Sequence, residues 1–192
     1  MKNYLVETPR SEYEIEAKDK TKLRKLILEK ENITFGEVEE EAGLIYLEQD
    51  NRKWAETFIG ETELTIGKYG CLIVSLSMLS YWYGEYITPV ELAEDLNYTE
   101  NGLLYWRSID RVLPFNFVWR YYSRDTRKIQ EILFSEDNAC VVEVKAFGAR
   151  HWLLLINYTG GRYFAIDPLT ADVVDVEKEY GLISGFAEVT RN

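Results

Sequence analysis

The sequence predicts an α+β fold in which an antiparallel sheet packs against a helical layer. Three observations carry this. Segments with helical spacing fill the chain up to about residue 134, short β-branched and aromatic runs fill the rest, and glycine-rich turns such as "YTGGR" separate those runs. At 192 residues, with 46% hydrophobic and 14% aromatic residues, the chain can bury a core that offsets its ordering entropy. One compact domain over 46–192 is expected, preceded by an extension over 1–45.

The extension is marked by "DKTKLRKLILEKENI" (19–33), where Leu23, Leu26, Ile27 and Ile33 fall near one face at helical spacing. Its mixed charges read as a solvated face rather than a binding patch. From Leu44 the pattern changes. "LIYLEQ" predicts a short strand, "DNRKWAETFIGETELTIGKYG" a loop with three glycines, and "CLIVSLSMLSYWY" (71–83) a buried helix that is apolar around nearly its whole circumference. A further helix begins at Thr88, where Thr88 and Glu91 have capping-box spacing and Pro89 occupies the first turn. "GLLYWRSIDRVL" (102–113) predicts a third helix, and "DTRKIQEILF" (125–134) a fourth with Asp125 as N-cap. "ACVVEVKAF", "HWLLLINYT", "RYFAIDPL" and "GFAEVTR" predict the strands, the middle two as a hairpin.

Charge narrows the function. A net charge of -11 repels nucleic-acid backbones and anionic lipid, so neither nucleic acid nor a membrane is an expected partner. The first residues lack the apolar core of an export signal, which makes an intracellular or phage-encoded protein the expectation. With two cysteines and one histidine, and no paired-ligand spacing such as CxxC, a zinc site is unattractive and no cofactor is expected.

Candidate chemistry centres on Cys71. A helix N-terminus directs unpaired N–H groups and a positive dipole end at a sulfur placed there, which favours the thiolate. Gly70 before it suits a sharp turn into the helix, in a conformation that glycine adopts cheaply. The other reading of Cys71 is a small buried core residue, as most free cysteines are. His151 opens a predicted strand, and Asp167, sixteen positions on, closes its hairpin partner, so imidazole and carboxylate can lie side by side. A structural histidine is the competing reading. Trp54 and Trp152 are expected to fill the core, as is Cys140.

Five strings in order, "QDNRKW", "TIGKYGCLIVSLSMLSYWYG", "ITPVELA", "HWLLLINY" and "FAIDP", closely resemble the bacteriocin-processing cysteine peptidase family, the double-glycine-leader type of papain-like fold. The resemblance runs from about Gln49 to Pro168 and leaves residues 1–45 without a counterpart. It implies a central helix carrying the cysteine against an antiparallel sheet, with Cys71 as nucleophile, His151 as general base and acid, Asp167 as the carboxylate that orients it, and Gln49 as an oxyanion-hole donor. It implies a peptide or protein substrate, since relatives process leader peptides or act on cell-wall peptides. The chain departs from the family after the cysteine: Leu72, Ile73 and Val74 replace smaller residues and are expected to narrow the substrate groove. A peptidase or amide hydrolase is the leading expectation. A catalytically silent binding module on the same scaffold and an acyl transferase stand beside it. A disulfide between Cys71 and Cys140 would defeat both enzymatic versions.

Overall fold

The computed structural model describes residues 44–192 in full, together with the backbones of residues 2–7 and 12–17. Those two short segments form an antiparallel hairpin, β1 (Lys2–Glu7) and β2 (Glu12–Ala17), with Lys2 opposite Ala17 and Glu7 opposite Glu12. The helix expected over 19–33 lies outside the described residues.

The main body begins with an irregular stretch rather than the strand expected over "LIYLEQ". Leu44 and Tyr46 are buried, but against the helical layer, and the Leu47 N–H meets the sulfur of Met78 instead of a ladder carbonyl. One turn of helix, α1 (Ile66–Tyr69), then leads into the central helix α2 (Cys71–Trp82). Gly70 joins them, and its role differs from the expected one. Its φ of -87° is open to any residue, but an added Cβ would stand 2.5 Å from Ile66 Cγ2 and 2.6 Å from the Ile66 carbonyl oxygen. Close approach of the backbone, not an unusual dihedral, requires glycine there.

Helix α2 is buried on nearly every side, and Ile73, Val74, Leu76, Met78 and Leu79 sit in the largest core cluster. Each such side chain contributes about 1.5–3 kcal/mol of transfer free energy. The serines in this apolar run are all hydrogen-bonded: Ser75 donates to the Trp152 carbonyl, Ser77 to that of Ile87, and Ser80 to that of Ser77. That satisfies the rule that buried polar groups find partners. Helix α3 (Pro89–Asp95) follows, with Thr88 and Glu91 forming the expected capping box.

The third expected helix shrinks to a 3-10 segment, Trp106–Arg111, because Leu104 is drawn into a bridge with Tyr98. An unexpected strand comes next, β3 (Phe115–Tyr121), whose alternation is broken by a register shift between Phe117 and Trp119. Helix α4 (Thr126–Leu133) is capped by Asp125 as expected. The remaining elements are β4 (Asn138–Ala146), β5 (Ala149–Thr159), β6 (Arg162–Asp167), β7 (Asp172–Asp175), α5 (Val176–Tyr180) and β8 (Gly185–Arg191). The expected order of helices first and strands afterwards therefore holds only loosely, with β3 set between helices and α5 between strands.

The six strands β3 to β8 form one antiparallel sheet in the order β3-β8-β4-β5-β6-β7. The predicted β5–β6 hairpin turns at Gly160 and Gly161, with φ of 57° and 79°, left-handed values that a two-residue turn demands. Alternate strand residues go to opposite faces. Val141, Leu154, Ile166 and Ala187 pack with α2, whereas Val142, Leu153, Ala165 and Phe186 pack with α4 and α5. Both faces are thus covered, and the chain is an α+β domain. No helix of the described residues is long and apolar enough to cross a membrane.

Candidate active site

Four segments that are distant in sequence meet at the N-terminal end of α2. Cys71 is the first residue of that helix and partly exposed, whereas Cys140 is fully buried on β4. Both are free thiols. Burial pushes the Cys140 thiol far up, with the Glu188 carboxylate adding to it, which leaves that sulfur inert.

His151, the third residue of β5, is 5% exposed, and its Nε2 lies 2.8 Å from Asp167 Oδ1 at the end of β6. The thiol of Cys71 is a hydrogen-bonding and electrostatic neighbour of the same ring. With Nε2 on the carboxylate, Nδ1 is the nitrogen left to face the sulfur. Ser75, one turn along α2, ties the helix to the carbonyl of Trp152 next to His151. Asp167, 1% exposed, gathers three donors: Oδ1 accepts from His151 and from the Leu169 N–H at 2.8 Å, and Oδ2 accepts from the hydroxyl of Tyr180.

Gln49 stitches the remaining pieces together. Its backbone N–H donates to the Pro168 carbonyl at 2.7 Å, beside Asp167, and its Nε2 donates to the Gly67 carbonyl at 3.0 Å, on the turn that leads into Cys71. The side chain is buried, and its Oε1 has no partner among the described residues. Trp54 donates through its indole N–H to the Glu48 carbonyl and fills the core beneath this loop, as expected for it. Trp152 is also core, held from one side by a buried ion pair: Arg120 meets Glu143 at 2.6 Å and lays its guanidinium 4.5 Å from the indole centroid.

No sequence pattern singles out Tyr180 as a site residue. It is the last residue of α5, a helix opened by the Asp175 side chain and closed by Gly181 at φ 76°, and its ring lies 5.5 Å from that of His151. The Asp-then-Gly punctuation around "VEKEY" was available as a signal for the helix. Nothing in the local pattern says that its final residue reaches back to Asp167.

The electrostatics follow from these contacts. Burial works against a charged His151 ring, but the hydrogen bonds of Asp167 and Cys71 and their charges outweigh it and raise the pKa to about 9. Burial alone would raise the Asp167 carboxyl, yet the bonds from His151, Tyr180 and Leu169 hold it below its ordinary value. At neutral pH the pair is imidazolium and carboxylate.

The raised His151 pKa and the lowered Asp167 pKa together set the pH range of greatest stability. A histidine whose folded pKa is raised stabilises fully below its unfolded value of about 6.5, and that contribution is lost as pH rises through the folded value. Asp167, with its depressed folded pKa, stabilises fully above about pH 4 and loses that as pH falls. The melting temperature of Cys71→Ala is therefore expected to be highest between about pH 4 and 6.5 and to fall by several degrees toward pH 9, at about 2–4 °C per kcal/mol for a chain of this size. The alkaline slope should vanish in Cys71→Ala/His151→Ala, and a slope equal in both chains would mean that the ring is not held charged.

Among the described residues no group of three or more His, Cys, Asp or Glu side chains is placed to hold a metal ion. Neither a protein-family model nor a curated protein sequence matches the chain.

Proposed function

We propose that the chain is a papain-like cysteine peptidase or amide hydrolase, with Cys71 as nucleophile, His151 as acid and base, Asp167 as the group that orients and charges the ring, and Gln49 as an oxyanion donor. The observation that carries this is the single imidazole set between a buried carboxylate on one nitrogen and a partly exposed thiol at a helix N-terminus on the other side.

In this reading the Cys71 thiolate attacks a peptide carbonyl carbon and a C–S bond forms. His151 gives its proton to the leaving nitrogen as the C–N bond breaks. The neutral ring then takes a proton from water, the resulting hydroxide equivalent displaces the sulfur, and the free acid leaves. Developing charge on the carbonyl oxygen is met by the Cys71 backbone N–H and by a Gln49 amide that carries two N–H groups, one of them already anchored on Gly67. The anchor supports the assignment because it fixes the amide beside the turn into Cys71. Partial exposure of Cys71, despite Leu72, Ile73 and Val74, favours an operating nucleophile over a silent scaffold. Both sulfurs being free removes the disulfide objection.

The test is alkylation by iodoacetamide, followed by intact mass, with buried Cys140 as the silent internal control. At pH 7 Cys71 is expected to be alkylated at least about tenfold faster in the native chain than in His151→Ala, because the charged ring beside the sulfur is gone in the variant. Equal rates in the two chains would defeat the ion pair and the hydrolase with it.

A further inference from the structure

The β4–β5 hairpin that delivers His151 ends in a turn whose residues are locally unfavourable. Ala146 pairs with Ala149, which leaves Phe147 and Gly148 as a two-residue loop with φ of 51° and 79°. A loop of the same length and handedness joins β5 to β6, and there the chain uses Gly160 and Gly161. A bulky side chain is disfavoured at such dihedrals, and burial offers no compensation, since Phe147 is 94% exposed. On the adjoining rung Lys145 stands directly opposite Arg150, both exposed, and like charges so placed destabilise a ladder. This cationic rung occurs in a chain of net charge -11. Three local conflicts within six residues, ending one residue before His151, mark a place where something other than folding selects the residues.

The surroundings say what. Cross-strand partners share a face, and alternation puts Lys145 and Arg150 on the face of Glu143 and Trp152, where α2 packs and Cys71 begins. The charge of Arg150 is felt by Arg120, which lies over Trp152. The rim beside Gln49 has the opposite character: the Glu48 carboxyl is pushed up by burial and by the neighbouring Asp50 and Asp172. Carboxylates therefore stand beside Gln49, and two cations with an exposed aromatic ring stand at the tip of the hairpin that carries His151.

We infer that the tip of the β4–β5 hairpin seats an acidic and apolar stretch of the peptide substrate, with an apolar side chain on the Phe147 ring and a carboxylate at Lys145 and Arg150. The inference rests on the peptidase reading for the occupant and deepens it. At about 3.3 Å per residue the tip stands roughly 10 Å beyond His151, about three residues along an extended peptide.

Binding without turnover tests it, in the full-length Cys71→Ala chain, by fluorescence anisotropy with three fluorescein-labelled octapeptides: alternating Glu and Leu, alternating Lys and Leu, and alternating Glu and Ser. The Glu/Leu probe is expected to bind at least about tenfold tighter than Glu/Ser, the discrimination that burying one leucine side chain gives, and at least about tenfold tighter than Lys/Leu, whose lysines meet the Lys145 and Arg150 charges. Phe147→Asn should bring the Glu/Leu probe down to the level of Glu/Ser while leaving the melting temperature unchanged or raised, because Asn tolerates the left-handed turn. Lys145→Glu with Arg150→Glu should erase the preference for Glu over Lys. Equal or absent binding of the three probes, or unchanged affinity in Phe147→Asn, would overturn the proposal. So would Phe147-dependent binding to phosphatidylserine vesicles in place of the peptides. Because no bond is cleaved, the probe preference survives if the alkylation test fails. Conversely, an ion-paired Cys71 without a probe preference rejects the hairpin seat alone.

Discussion

Replacing Cys71 with alanine is expected to abolish peptide hydrolysis, by about 10⁴-fold or more in kcat, without unfolding the chain. The loss is that large because no other group can form the covalent intermediate: Cys140, the second thiol, is fully buried on β4 and its ionisation is suppressed. The fold tolerates the change because Cys71 is partly exposed and the seat of α2 is built by Ile73, Val74, Leu76, Met78 and Leu79, so stability should move by about 1 kcal/mol or less. The measurement is release of free amino groups from a pool of synthetic peptides, alongside a melting curve. His151→Ala should lose nearly as much, and the double variant no more than either single one, since groups acting as a unit are not additive. Hydrolysis that persists in Cys71→Ala would remove the sulfur from the mechanism. Losses that multiply in the double variant would separate the sulfur from the ring.

Much of the architecture was legible, for local reasons. Helix α2 is written in an apolar run with a glycine before it, α3 in a complete capping box, α4 in an aspartate cap, and the β5–β6 hairpin in two glycines whose left-handed dihedrals the turn requires. Each signal is carried by neighbouring residues, and each matches the structure. The failures share a cause too. "LIYLEQ" has the alternation of a strand but lies against α2 with no ladder partner, a tertiary fact that local pattern does not record. In β3 the shift between Phe117 and Trp119 scrambles the period-two signal of a strand that pairs with β8, and at that break the Asp110 carboxylate accepts the Phe117 N–H. The site divides in the same way. The spacing of His151 and Asp167 on a hairpin foretold their contact, because a hairpin turns separation along the chain into adjacency. The approach of Gln49 and Tyr180 to that pair depends on how separate segments dock, and neither residue carries a local mark of it.

The tyrosine gives the second large prediction its gradation, because the Asp167 carboxylate has three separable donors. Asp167→Ala strands the His151 ring, the Leu169 N–H and the Tyr180 hydroxyl in a buried site, and is expected to cost about 3–5 kcal/mol of stability and about 10³-fold or more in kcat. Asp167→Asn keeps the shape. Its Oδ1 can accept from His151 and Leu169 while its amide donates to the Tyr180 oxygen, so the fold should survive and the ring should stay in place. What disappears is the negative charge, and the His151 pKa should drop from about 9 toward the ordinary value. Tyr180→Phe is the mildest change: Oδ2 loses its donor, the carboxylate becomes harder to keep ionised, and the ring loses part of its charged character. The expected cost is about tenfold in kcat at neutral pH. The chain has one histidine, so a two-dimensional NMR titration of its ring reads all three variants without assignment. The His151 pKa should fall in the order native, Tyr180→Phe, Asp167→Asn, and hydrolysis should fall from Tyr180→Phe to Asp167→Asn to Asp167→Ala. A native His151 titration in Tyr180→Phe would make the tyrosine a packing residue alone, and an unchanged one in Asp167→Asn would mean that the carboxylate does not set the charge of the ring.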